Sequence, residues 1–172
     1  MEKRTIEEII ASLMQTCGFG NVISSIEPVS GGFLHRMYKV VTECGTYAVK
    51  CLNPEIMGRE GVLDNYERAE RIECILDKAD IPIVPAITFN GKKMQHIDGQ
   101  YFYIFHWKEG QITDWNNISV KQCNIAGNIL GKIHAIDPQK GVHKEPEISH
   151  LDWHEYLRKA NKQNSETATG LE

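Results

Sequence analysis

A basic surplus is missing from this sequence: 19 lysines and arginines stand against 23 aspartates and glutamates, giving a net charge of -4 and a pI near 6.0. Nothing in that balance would hold nucleic acid or anionic lipid at long range, so neither is an expected partner. No apolar run approaches the roughly 20 residues of a membrane-spanning helix, and no membrane association is expected. The opening "MEKRTIEEII" has charges and an amphipathic pattern in place of a signal-peptide core. Paired cysteines are also absent. Cys17, Cys44, Cys51, Cys74 and Cys123 are odd in number, widely spaced and without a C-x-x-C. This excludes a disulfide framework and a zinc site, and points to reduced thiols in a cytoplasm, most of them buried small hydrophobes. What remains is an ordinary globular composition, 41% hydrophobic and 24% charged over 172 residues. That length suffices for one domain, or one domain and part of another.

Periodicity divides the chain into a strand-rich part and a helical part. Thr5 and Glu8 form a capping box before a helix over residues 5–17, whose Ile6, Ile9, Ile10, Leu13 and Met14 share one face. Strands are expected over residues 22–29, 37–43 and 46–52, making an antiparallel meander with a tight turn at Cys44-Gly45. A helix over residues 63–79 follows, with Ala69, Ile72, Ile75, Leu76 and Ala79 on its apolar side. "IPIVPAITF" (residues 81–89) reads as a fourth strand and "QYFYIFHW" (residues 100–107) as a central fifth, with hairpin signals at Asn90-Gly91 and Asp98-Gly99. After "KEGQITDWNN" only helices are expected: residues 120–136, opened by a Ser119/Gln122 capping box, and residues 152–160. Asp152 reads as the cap of that last helix. The tail over residues 161–172 has a disordered composition.

The stretch "SGGFLHR" (Ser30 to Arg36) joins the first two strands by more residues than a tight hairpin needs. Taken alone, Gly31-Gly32 reads first as a plain turn. Lys50, late in "TYAVKCL", shares a strand face with Ala48 and Leu52. Its ammonium either snorkels to water or meets phosphate oxygens beside the glycine segment. The order of elements favours the second reading. Strand, Gly-Gly loop, strand, turn, strand with Ala-Val-Lys, acidic helix, two strands and a polar connection is the arrangement of a protein-kinase-like N-terminal lobe.

"SGGFLHRMYKV…GTYAVKCLNP" together with "AGNILGKIHAID" (residues 126–137) resembles the aminoglycoside phosphotransferase family, which includes choline-kinase-like small-molecule kinases. The glycine loop has that family's S-G-G-x-x-N/H form, and the resemblance runs over about residues 20–137. It implies an α+β fold: a five-stranded antiparallel sheet with a packed helix and an N-terminal helix, then the first helices of a truncated helical C-terminal lobe. Residues 1–107 would be the nucleotide-binding lobe, residues 108–118 the hinge, and residues 119–160 the start of the second lobe.

The resemblance also assigns roles. Ser30, Gly31 and Gly32 would turn a hydroxyl and backbone amides toward nucleotide phosphates, and Lys50 would contact the α- and β-phosphates. Glu70 would pair with Lys50, though Glu73 flanks the helix's apolar face more closely, and a solvated helix face accounts for both as well. Phe105, His106 and Trp107 would form the hinge against the adenine edge, with Ile23, Ala48 and Phe105 around the ring. Tyr103 reads as core, and Trp107 is open to either reading. Gly127 and Gly131 would permit close helix packing, and His134 would be a packing histidine.

The cofactor implied is ATP or GTP with Mg²⁺, and the acceptor is a hydroxyl on a small molecule. The family's H-G-D-x-x-x-x-N catalytic loop and later metal-binding aspartate have no counterpart here; "HLDWHEYL" offers His150 and Asp152 but Leu157 where the asparagine belongs. No catalytic or metal-binding residue is therefore expected, and the chain alone should not turn over. Lost partners would leave an apolar face near Ile125, Ile129 and Ile133 exposed, which a homodimer through these helices would cover. The alternative function is a non-catalytic nucleotide-binding or regulatory module. Within the phosphate-loop reading, Gly32→Val weakens nucleotide binding and leaves adenosine binding nearly unchanged.

Overall fold

The computed structural model describes residues 4–30, 34–111, 113–137 and 153–162. They fall into two compact units, Met1–Val142 and His143–Glu172. In the first, the order is α1 (Ile6–Thr16), β1 (Glu27–Val29), β2 (Arg36–Thr42), β3 (Gly45–Cys51), α2 (Pro54–Met57), α3 (Val62–Lys78), β4 (Gln95–Ile97), β5 (Gln100–His106) and α4 (Val120–His134). In the second, α5 spans Trp153–Lys162 and carries an i,i+4 pair, Glu155 with Lys159, at 2.9 Å.

The strands form one antiparallel sheet in the order β1-β2-β3-β5-β4. Directly opposed residues share a face. Tyr38, Val49 and Ile104 make one row; Val40 and Tyr47 another; Cys51 and Phe102 a third. All seven are buried, and α1 closes over them with Ile10, Leu13, Met14 and Cys17. The helix starts where Thr5 and Glu8 cap each other's backbone, as the sequence leads one to expect. The five-stranded antiparallel sheet with an N-terminal helix and a packed helix is thus the kinase-like N-terminal-lobe arrangement.

Four expectations need correction. Residues 81–89 are not a strand; the fourth strand is Gln95–Ile97. Pro82 and Pro85 bring no amide proton to a ladder. The amide of Ala86 is drawn to Glu73 Oε1 at 2.8 Å, while Ile87 bonds Ile104 O at 2.7 Å, so the segment crosses the sheet without joining it. Residues 22–29 pair only at Val22 and over Glu27–Val29, which leaves Ile23 61% exposed. The short helix α2 was not anticipated, although Asn53 capping Glu55 N ahead of Pro54 is a helix-start signal. Three of the five cysteines are exposed (Cys44, Cys74, Cys123), because a turn, the outside of α3 and α4 carry them.

Helix α4 begins at the expected Ser119/Gln122 box. Its Ile125 and Leu130 are 51% and 53% exposed, while Ile129 and Ile133 are half-buried. His134 is exposed rather than packed, and a Cβ at Gly127 or Gly131 would meet nothing within 4 Å. Asp152 and the tail beyond Lys162 lie outside the described residues.

Candidate functional site

The second face of the sheet differs in kind from the first. It carries two rows in register: Val29, Met37, Lys50 and Tyr103, then Glu27, Lys39, Ala48 and Phe105. Val29 and Met37 flank the glycine segment on either side, so Lys50 lies in the row from which that segment springs. Adjacent strands lie about 4.8 Å apart, which puts Lys50 one strand from Met37 and two from Val29. Lys50 and Ala48 are half-buried, and Ser30 is exposed. Gly31 and Gly32 lie outside the described residues.

Helix α3 covers part of this face with only part of the side expected of it. Ile75 and Leu76 are half-buried, but Ala69 and Ala79 are exposed and Ile72 is 40% exposed, while Tyr66, Glu70 and Glu73 are half-buried as well. The reason is the polar groups that α3 meets, one on the sheet and two on the connection before β4. Glu70 Oε1 accepts from the hydroxyl of buried Tyr103 at 2.7 Å. Glu73 accepts from Ala86 N and from the ammonium of Lys93. An apolar stripe there would leave those donors unpaired. Burial and the Glu70 carboxylate both drive the Tyr103 phenol well above its ordinary range, so it stays a donor. Burial alone would lower the Lys93 ammonium, but Glu73 outweighs it and holds the pKa up.

The ion pair expected between Lys50 and Glu70 or Glu73 is not formed in this structure. Both carboxylates have other partners, and Lys50 has no hydrogen bond or ion pair among the described residues. Its charge reaches His35, whose pKa is lowered by burial and then by the Lys50 charge. Tyr103→Phe removes the neutral donor that keeps Glu70 half-buried. The expected cost is about 1–2 kcal/mol, measured by urea unfolding; an unchanged midpoint would show that Glu70 is satisfied by water.

At the hinge end, Ala48 opposes Phe105, and Trp107 N donates to Thr46 O at 3.1 Å. His106 is exposed and Trp107 half-buried. One residue here escaped the sequence reading. Lys39 opposes Ala48, places Nζ 4.7 Å from the Trp107 ring centroid, and lies 4.0 Å from Glu109, which also accepts from Trp107 Nε1 at 2.8 Å. Ile23, the apolar wall expected at this end, is exposed. The alternating pattern of β2 held the signal, since Lys39 falls on the same side as Met37.

This face therefore offers one unpaired cation beside a glycine segment and, about 7 Å along the strands, a small residue flanked by aromatic rings. Such a surface suits an anion joined to a flat apolar group. A separate concavity of about 950 Å³ lies between α3 and residues 88–96, lined by Glu70, Arg71, Cys74 and Lys92 among others, and Lys50 has no part in it. Among the described residues no group of three or more His, Cys, Asp or Glu could hold a metal ion, and no helix is long and apolar enough to cross a membrane.

The family model described as "Phosphotransferase enzyme family" matches residues 25–170, most of the chain. Among solved structures, a spectinomycin phosphotransferase crystallised with ADP and spectinomycin superposes with a TM-score of 0.70 at 18% identity, covering 94% of this chain and 48% of its own. A putative aminoglycoside phosphotransferase from Ralstonia eutropha JMP134 gives 0.58 at 20% identity, with 95% and 49% covered. Likeness at these identities establishes the fold, and the chain spans about half the length of the structures it matches. No curated protein matches it.

Proposed function

The chain belongs to the phosphotransferase enzyme family, and on that premise we propose that it is the nucleotide-binding part of a kinase that moves the γ-phosphate of ATP or GTP to a hydroxyl of a small molecule. The observation that carries this reading is the row Val29, Met37, Lys50 and Tyr103, which sets an unpaired ammonium in the same row as the residues that lead into and out of residues 30–36. Lys50 would bind phosphate oxygens through charge-assisted hydrogen bonds, the strongest available to a side chain without a metal. The base would lie along Ala48 and Phe105, its edge toward the backbone of residues 105–107, with Lys39 and Trp107 at the rim. That the spectinomycin enzyme was crystallised with ADP supports a nucleotide as the ligand.

The described residues form no Mg²⁺ cage. The ion would reach this chain through the phosphates it accompanies, and when bound it would neutralise their charge. Residues 1–107 then hold the nucleotide, residues 108–118 connect, and the acceptor hydroxyl and its base belong to the part of the fold that this chain does not span.

Calorimetric titration with Mg-ADP, Mg-GDP and adenosine tests the reading. Saturable one-to-one binding of a diphosphate, tighter than adenosine, is expected. No binding, or adenosine bound as tightly as ADP, would overturn it.

A further inference from the structure

His35, just before β2, links the chain leaving β3 to α3. Its Nδ1 accepts from Asn53 N at 3.1 Å, and its Nε2 lies 3.0 Å from the Tyr66 hydroxyl. An acceptor at Nδ1 fixes the neutral tautomer with the proton on Nε2, which donates to Tyr66 Oη. Asn53 follows Lys50 by three residues, and His35 precedes by two the Met37 that opposes Lys50. The side-chain bond from His35 to Asn53 therefore ties the two strands just past the ladder's last pair, Arg36 with Cys51. Asn53 also caps α2 with its side chain, so the strand's exit is held from both directions. On the other side, the Tyr66 ring lies 6.0 Å from that of Tyr103, whose hydroxyl holds Glu70.

We propose that His35 is a positioning residue for phosphate binding: its neutral imidazole pins the strand end that carries Lys50 to α3, and leaves Lys50 the free cation of the cluster. The assignment rests on the nucleotide reading above. Two features give the imidazole this role rather than a general packing one. Both ring nitrogens are used, one on each element that frames Lys50. The ring is also close enough to feel the Lys50 charge, so an imidazolium here would repel the ammonium and lose its acceptor at once.

The two bonds can be separated. Asparagine keeps an oxygen near the Nδ1 position, and glutamine keeps an N–H near the Nε2 position. The test measures unliganded melting and the affinities for Mg-ADP and adenosine in the wild type, His35→Ala, His35→Asn and His35→Gln. The alanine variant is expected to lose about tenfold in ADP affinity and less than twofold in adenosine affinity. His35→Asn should recover most of the ADP loss by restoring the Asn53 bond, and His35→Gln a smaller part.

Equal losses for ADP and adenosine, or ADP affinity unchanged in every variant, would overturn the role while leaving the nucleotide reading intact. Failure of the wild type to bind ADP would remove both. Should His35→Ala not fold, the asparagine and glutamine variants decide the matter by the same ADP-to-adenosine comparison. Long-range ¹H–¹⁵N spectra give a readout independent of ligand: an unprotonated Nδ1 is expected at neutral pH, and a protonated one would contradict the geometry.

Discussion

Lys50→Ala should remove at least half of the rise in melting temperature that Mg-ADP gives the wild type, while the melting temperature of the unliganded variant changes by no more than about 2 °C. The two halves of this expectation come from the same fact. Lys50 has no hydrogen bond or ion pair among the described residues, so the fold loses little when the ammonium goes. The ligand loses a great deal. A ligand at a hundred times its Kd stabilises by about 2.7 kcal/mol, worth roughly 5–10 °C for a chain of this size. Removing charge-assisted bonds to phosphate costs about 1.5–3 kcal/mol, which cuts that stabilisation to about 0.3–1.3 kcal/mol at the same concentration. A variant that keeps the full ADP-dependent rise would show that Lys50 faces solvent and nothing else. One that fails to fold would show that its stem, rather than its charge, matters.

Phe102→Ala is expected to have the largest effect on the fold itself. Phe102 is fully buried in β5, next to Cys51 on β3 and among the side chains that α1 covers. Emptying that volume costs about 3–5 kcal/mol, a large fraction of the roughly 5–15 kcal/mol of a whole domain. The melting temperature should fall by about 10 °C or more. The loss carries a functional consequence, since Phe102 and Tyr103 point to opposite faces of one strand and disorder in β5 reaches the Lys50 row. A fall of under about 1 kcal/mol would mean that α1 does not seal the sheet as described. Urea midpoints with unchanged slope would separate lost packing from a changed unfolded state.

How far the sequence could be read depended on whether local chemistry decided the outcome. Both capping boxes formed where expected, because the bonds involved lie within four residues. The two hairpin signals are real turns: Asn90 and Gly91 have φ of 49° and 76°, and Asp98 and Gly99 have 50° and 75°. Strand assignment failed where a long-range partner decided it. The β-branched run at residues 81–89 has strand propensity, yet Glu73, thirteen residues before Ala86, takes the amide that a ladder would have used. The facing of α3 departed in part for the same reason. A hydrophobic stripe assumes an apolar surface beneath it, and α3 meets the Tyr103 phenol on the sheet and the Lys93 ammonium and Ala86 amide beside it.

The candidate site was legible as a set of residue types in order, but its internal pairing was not. Ala48, Lys50 and Phe105 lie on one sheet face, with Trp107 just past the end of β5, as the alternation of the strands leads one to expect. The partner of Glu70 is Tyr103, and no local pattern announces a bond across 33 positions. Lys39 was passed over because a lysine in an alternating strand ordinarily marks the solvent side. Here that side is the one on which Lys50 lies.

The most direct measurement is chemical-shift mapping of the isotopically labelled chain titrated with Mg-ADP. The account predicts that the amides and side chains of Lys39, Ala48, Lys50 and residues 105–107 move together, with one saturation curve and little change on the α1 face at Ile10, Val49 and Phe102. Shifts confined to the concavity between α3 and residues 88–96, or to the α1 face, would place the nucleotide elsewhere and contradict it.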